Sequence, residues 1–244
     1  MTRLIRYTHN PDLPLTAPDS HPDVRRGKWE DLGRARLLPA VSPSKIVCVG
    51  RNYADHAKEL GNPIPAEPLI FLKPPSSLNA HLAPVVFPRL SELLSYEGEL
   101  GVVVGRRARS VPAAQALDYI SGYTIVNDFT ARDLQKKDGQ WTRGKGFDSF
   151  CPVGPWVVPK EEVDFASLRV RTLVDGALKQ DGSVTDMIFD LGAIMEFVTQ
   201  FMTLEPGDLI ATGTPPGVGA VSAGSRVVVE IPGIGALENP VVAG

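Results

Sequence analysis

The chain has 244 residues, 43% of them hydrophobic and 22% charged, with a formal net charge of −3. That length buries one large core, alone or with a small appendage, and the mild acidity excludes the basic surface on which nucleic-acid binding depends. No apolar run approaches the ~18 residues that suggest a membrane span, and Met1 to Asn10 contains no signal-peptide core, so a cytoplasmic protein with neither nucleic-acid nor membrane partners is expected.

The 23 glycines and 22 prolines favour a turn-rich, strand-rich fold over a helical bundle. Residues 1–43 carry Pro11, Pro14, Pro18, Pro22, Pro39 and Pro43 and read as a small N-terminal lead-in subdomain of extended segments; residues 44–244 read as the main domain. Lys45 to Val49 is predicted as a buried strand and Asn52 to Leu60 as a short helix stopped by Gly61-Asn62-Pro63. Leu69 to Leu72, Pro84 to Phe87 and Tyr96 to Val104 follow as strands. Ser110 and Pro112 open a helix through about Tyr119, and Gly122 to Asn127 is a strand ending at Asp128. Thr130 to Asp133 has the spacing of a capping box, which predicts a helix start, and Lys136 to Ser149 reads as a polar loop. Leu168 to Val174 alternates cleanly, and Asp175-Gly176 predicts a hairpin into Ala177 to Gln180. Phe189 to Met202 is the best helix, with Ile194, Phe197, Val198 and Phe201 on one face. Strands bracket a Gly213 to Gly219 loop and continue through Val227 to Ile231.

Four segments have the residue types that chemistry needs. Glu97 and Glu99 leave one face of a strand, and like charges that close call for a partner. A hard divalent cation is one such partner; a solvated edge strand explains the same pattern and is commoner for this segment alone. His56 and Glu59 stand three residues apart on the predicted helix, where a carboxylate can orient an imidazole and leave it a base, although an incidental surface pair is commoner by spacing. Asp128 at a strand end is placed to be a third oxygen ligand, with Arg132 able to bind a carboxylate bidentately; helix capping by Asp128 and Thr130 is the competing account. The Ala211 to Gly219 loop offers hydroxyls and close backbone approach to an anion, or is a plain tight turn. Cys48 and Cys151 form no CxxC, and His9, His21, His56 and His81 lack metal-ligand spacing, so any metal is expected on oxygen.

Taken together, GRNYADHAKEL (50–60), FLKP (71–74), YEGELGVVVG (96–105), GYTIVNDFTARDLQ (122–135), WTRGKGFDSFCPVGPW (141–156) and GDLIATGTPPGVG (207–219) resemble, in order, the fumarylacetoacetate hydrolase family. The resemblance implies an α+β, strand-rich fold with a mixed β-roll or β-sandwich core, few short helices and homodimers. It also implies a divalent metal, Mg2+ or Mn2+, in a site that Ca2+ can occupy. It assigns Glu97, Glu99 and Asp128 as metal ligands and His56, Glu59 and Lys145 as catalytic residues. Arg51, Arg132, Gln135 and Thr214 become substrate contacts, and Lys73 matches a family lysine in either a substrate or a packing role.

The implied activity is metal-dependent chemistry on 2-oxo or enol dicarboxylic acids through a stabilised enolate. The pattern is similar to the aromatic-catabolism branch that isomerises 2-hydroxyhepta-2,4-diene-1,7-dioate and decarboxylates 5-oxopent-3-ene-1,2,5-tricarboxylate. Acylpyruvate hydrolysis or oxaloacetate decarboxylation is the close alternative. A non-catalytic small-molecule binder on the same fold is expected to have lost one of Glu97, Glu99, Asp128, His56 or Glu59, and all are present.

Overall fold

Apolar runs too short for helices but rich in Val and Ile become strands here. The computed structural model of the chain describes residues 3–27, 35–59, 61 and 63–244. Its central sheet has seven strands in the order Leu69–Lys73, Ile46–Gly50, Leu209–Ala211, Gly98–Val104, Ile120–Asn127, Cys151–Pro159 and Leu78–Asn79. Leu209–Ala211 runs parallel to Ile46–Gly50 and antiparallel to Gly98–Val104, so the sheet is mixed. A five-stranded sheet, Ala177–Ser183, Arg169–Val174, Arg226–Ile231, Gly235–Ala243 and Val85–Phe87, packs against it. The fold is α+β and strand-rich, as expected.

Alternation along Gly98–Val104 divides the core. Leu100, Val102 and Val104 join Ile125, Val170, Val229, Ile231 and the helix residues Ile194 and Val198 in one cluster. Val103 points the other way, into a cluster with Cys48, Val126, Cys151 and Ala211. Each buried Val, Leu or Ile contributes roughly 1.5–3 kcal/mol by leaving water. Glu99 lies on the second face and is itself buried.

The N-terminal segment forms its own three-stranded sheet, Arg25–Gly27, Ile5–Thr8 and Arg36–Leu37, over Leu13, Ala17, Val24 and Leu38. Leu4 pairs through its backbone with Val157, and the buried Arg6 donates to the carbonyls of Pro39 and Val41.

Several predicted elements are redrawn by tertiary partners. The single strand Tyr96 to Val104 is two, Leu94–Tyr96 and Gly98–Val104, in different sheets. The break falls at Glu97, whose N–H donates to the Asn127 side chain. Thr130 caps no helix: Thr130–Ala131 is a short strand paired with Leu94–Tyr96, and its hydroxyl donates to the Asp128 carbonyl. The helix that follows is Arg132–Asp138, and Asp133 accepts instead from Ser91 Oγ and Glu92 N–H. The polar loop contains a one-turn helix, Thr142–Lys145. The predicted helix before Tyr119 is a 3-10 helix, Ala113–Tyr119.

Two readings hold with shifted detail. The hairpin turns at Asp175 and Gly176, both at positive φ (51° and 82°), as an Asp-Gly turn requires. The long helix is Leu191–Phe201, capped by Asp190, but it buries Leu191, Ile194, Met195, Val198 and Thr199. Phe197 is half-buried and Phe201 exposed, the two rings packed edge-on at 5.7 Å. The short helix after Ile46–Gly50 is Ala54–Glu59; Leu60 and Asn62, part of its predicted end and stop, lie outside the described residues.

One buried acid ties this frame together. Asp208 accepts from Ser44 N–H (2.9 Å), Ser44 Oγ (2.7 Å), Lys45 N–H (3.1 Å) and Glu205 N–H (2.8 Å), and pairs with the Lys45 ammonium. It therefore fixes the start of Ile46–Gly50 beside Leu209–Ala211, the parallel pair that leads into both loops of the site described below. Burial pushes its carboxyl up, but the Glu205 amide, Lys45 and Ser44 outweigh burial and hold it below the usual carboxylate range. Asp208→Ala should cost about 3 kcal/mol in denaturant unfolding at neutral pH, because it strands several buried donors. A depressed folded pKa stabilises above the unfolded value of ~3.9 and loses that contribution as pH falls toward the folded one. The gap between wild type and variant should therefore be constant from neutral pH down to about 5 and shrink below about 4.

Candidate active site and metal centre

The site is built where paired strands run out. In the register of Gly98–Val104 with Ile120–Asn127, Glu99 faces Val126 and Gly98 faces Asn127. The next pair outward is Glu97 and Asp128, joined by Asp128 N–H to the Glu97 carbonyl at 2.8 Å. Glu97 and Asp128 thus meet across strands, with Glu99 two residues along. One carboxylate oxygen from each lies within 4.8 Å of the others, and all three residues are buried. Like charges opposed in a dry place are costly, so cations are required.

The chain supplies three of them. Lys145 Nζ donates to Glu97 Oε2 (2.6 Å) and Asp128 Oδ2 (2.5 Å). Lys73 Nζ donates to the other Asp128 oxygen (2.5 Å) and to the Phe129 carbonyl (3.2 Å). Arg132 reaches Glu97 Oε1 and also donates to Gln135 Oε1 at 2.8 Å. Burial alone would raise the Glu97 carboxyl, but Lys145, Arg132 and His56 overcome it and keep Glu97 well below the usual range. Burial likewise works against the Lys145 ammonium, yet Asp128 and Glu97 hold its pKa above the ordinary lysine value, so it remains a fixed cation at neutral pH.

Glu99 is the exception. Its Oε2 accepts one backbone N–H, from Gly213 at 2.8 Å, and no described side-chain cation pairs with it. Burial, then Asp128 and Glu97, push its carboxyl well above the usual range. A buried acid so placed is an incomplete electrostatic arrangement, and three clustered carboxylate oxygens are the donor set that a hard divalent cation takes. The residues fit a metal on this ground. Gly213 sits at φ +97° with Asn52 where its Cβ would be, so glycine is needed to bring that N–H onto Glu99.

A cavity of about 390 Å3 opens over the acids. Glu97, Glu99, Asp128, Lys145, His56, Arg51, Arg132, Gln135 and Thr214 all line it. Glu59 and Lys73 do not: Lys73 is buried against Asp128, and Glu59 is about a third exposed and accepts the Gly217 N–H from the neighbouring loop. His56 Nδ1 lies 3.6 Å from Glu59 Oε2, longer than a hydrogen bond, and is buried with no bonded partner. Burial holds His56 below the ordinary imidazole value, with Glu97 opposing and Arg132 reinforcing, so it is neutral at pH 7. The Thr214 hydroxyl donates inward to the Gly98 carbonyl at 2.8 Å.

Besides Val49 and Gly50 at the end of their strand, sequence reasoning missed three lining side chains, Phe71, Lys136 and Trp141. Trp141 packs edge-on to Phe71 at 5.1 Å, and the Arg51 guanidinium lies 5.9 Å from its ring centre. Phe71 in turn lies 5.1 Å from the Lys145 ammonium, and Lys136 completes the rim. No spacing rule joins residues 71, 136 and 141; only WTRGKG and FLKP, already singled out for their lysines, contain the two aromatics.

A family model described as fumarylacetoacetate (FAA) hydrolase C-terminal matches residues 45–242. Protein Rv2993c of Mycobacterium tuberculosis is 52% identical over 217 residues, spanning 88% of this chain and 82% of the relative. The solved structure of a 2-hydroxyhepta-2,4-diene-1,7-dioate isomerase from Mycobacterium marinum aligns with a TM-score of 0.84 at 44% identity, covering 100% of this chain and 99% of that one. A fumarylpyruvate hydrolase from Pseudomonas aeruginosa, solved with Mn2+ and pyruvate, aligns with a TM-score of 0.78 at 33% identity, over 86% of this chain and 92% of that one. The matched region contains every cavity-lining residue named above, and the chain is an enzyme of the fumarylacetoacetate hydrolase family.

Proposed function

We propose that this enzyme uses a divalent metal, Mg2+ or Mn2+, to act on a 2-oxo or enol dicarboxylate, with 2-hydroxyhepta-2,4-diene-1,7-dioate isomerisation as the leading reading. The observation that carries it is the charge count of the cavity. Lys145, Lys73 and Arg132 equal the three carboxylates in number, although they pair only with Glu97 and Asp128, so a divalent ion held by Glu97, Glu99 and Asp128 leaves two positive charges to be balanced. Arg51 and Lys136 add basic groups at the rim. A substrate with two carboxylates answers that field; a neutral one does not.

When bound, the metal supplies Lewis-acid polarisation of a 2-oxo group. The remaining work falls to side chains. Lys145, kept protonated by Glu97 and Asp128, adds fixed positive charge where an enolate oxygen develops. Arg132, steadied by Gln135, and Arg51 orient carboxylates. Neutral His56 takes the proton of the 2-hydroxyl and a proton is delivered to C5, so that the C2–C3 and C4–C5 double bonds become a 2-oxo group and a C3–C4 double bond.

A second reading, C–C hydrolysis of an acylpyruvate, is favoured by the likeness to the fumarylpyruvate hydrolase. There His56 takes a proton from water, and hydroxide attack on the distal carbonyl breaks the C–C bond, the electron pair passing to the 2-oxo side. A homodimer in the cytoplasm accompanies either reading.

Chelator treatment should abolish turnover of a panel of 2-oxo dicarboxylates and acylpyruvates, and added Mg2+ or Mn2+ should restore it; full activity after stripping removes the metal from the mechanism. Product identification by mass spectrometry on the same panel separates isomerisation, decarboxylation and hydrolysis. His56→Ala should bind metal as wild type does while kcat falls about 10²–10⁴-fold. A near-normal kcat in that variant would eliminate His56 as the proton carrier.

A further inference from the structure

Gln180 belongs to neither the acid cluster nor the cavity wall. It lies on Ala177–Ser183, the second strand of the Asp175-Gly176 hairpin, between exposed Lys179 and Asp181, and is itself 1% exposed. Every polar position of its amide is used. Oε1 accepts the Gly98 N–H at 3.0 Å, while Nε2 donates to Thr214 Oγ1 at 2.7 Å and to the Pro215 carbonyl at 2.8 Å. Thr214 Oγ1 then donates to the Gly98 carbonyl at 2.8 Å. The result is a closed ring from Gly98 to Gln180 to Thr214 and back to Gly98.

The ring has one direction. Gly98 N–H can only donate and the Pro215 carbonyl can only accept, so a flipped amide would face donor to donor and acceptor to acceptor. The Thr214 hydroxyl proton is committed to the Gly98 carbonyl for the same reason. Gly98 is the residue between Glu97 and Glu99, and it also presses on the hairpin: a Cβ there would lie 2.2 Å from Thr172 Oγ1 and 2.9 Å from Val229. Thr172 is the cross-strand partner of Gln180. The peptide that sets the angle between the two glutamates is thus gripped by the hairpin on one side and, through Thr214, by the loop whose Gly213 bonds Glu99 on the other.

We infer that Gln180 is a positioning residue for the metal site: through its ring with Gly98 and Thr214 it keeps the carboxylates of Glu97 and Glu99 aimed at one point. This rests on the metal reading above. Partners of this kind that orient ligands are worth roughly 10- to 100-fold in metal affinity.

The test is Mn2+ binding to the full chain, read by the EPR signal of free Mn2+, beside thermal unfolding of the metal-free protein. Gln180→Leu should bind Mn2+ roughly 10- to 100-fold more weakly than wild type. Thr214→Val, which opens the ring at another bond, should weaken binding comparably. The double variant should be no weaker than the worse single one, since residues acting as a unit are not additive. A glutamine that merely staples the fold would lower the unfolding temperature and leave the Mn2+ affinity of the folded protein unchanged, which overturns the inference, as would losses that multiply in the double variant. Should Gln180→Leu fail to fold, Gln180→Met, an unbranched neutral side chain of similar length without the amide, is held to the same affinity loss. Wild type that binds no Mn2+ defeats the metal reading and this inference together; wild type that binds while Gln180→Leu binds equally defeats this inference alone.

Discussion

The antiparallel pairing of Gly98–Val104 with Ile120–Asn127 is the constraint on which the rest depends. Its register brings Glu97 against Asp128 at the strand ends and leaves Glu99 beneath them on the same side. A slip of one residue would send Glu99 to the opposite face, among Ile125, Val170 and the Leu191–Phe201 helix. The apolar alternation that fills both faces of the sheet therefore also fixes the geometry of the acids.

Concentrating carboxylates in a buried place has consequences for the surrounding chain. Lys145 must arrive from a one-turn helix, Lys73 from the edge strand Leu69–Lys73, and Arg132 from the first turn of the helix after Asp128. Each comes from a different element, so the charge balance holds only when the sheet, the Thr142–Lys145 turn and the Arg132–Asp138 helix are docked together. Removing one charge from such a network leaves another buried and unpaired, which is more damaging than losing a surface ion pair. Two aromatic rings stand against these cations, Phe71 by Lys145 and Trp141 by Arg51.

Much of the site was legible as types and order. Two glutamates at i and i+2, an aspartate at a strand end and a histidine on a short helix are local patterns that survive without coordinates; Lys145 came from the family resemblance. Helical spacing does bring His56 and Glu59 near, at 3.6 Å, as expected, and packing adds to Glu59 a bond from the Gly217 N–H, a residue 158 positions away. Thr130 and Asp133 show where local pattern misleads: they form no capping box, since Leu94–Tyr96, Ser91 and Glu92 offer tertiary partners. The helix at 191–201 keeps its period but turns its buried stripe from Phe197 and Phe201 to Met195 and Thr199, because the core it meets fixes which side faces in.

By itself the sequence determined a strand-rich chain, the hairpin at Asp175-Gly176 and the lack of His or Cys at metal-ligand spacing, while the family resemblance supplied the α+β class and the assignment of the three acids. The first three follow from period, turn chemistry and side-chain type, which act within a few residues. Tertiary structure alone decided that the Tyr96 strand breaks at Glu97, that Lys73 shares Asp128 with Lys145, and that Gln180 from a remote hairpin grips Gly98. Each of those is a contact between segments far apart in the chain, set by which buried donor finds which acceptor once the sheets have packed, and no local pattern records that choice.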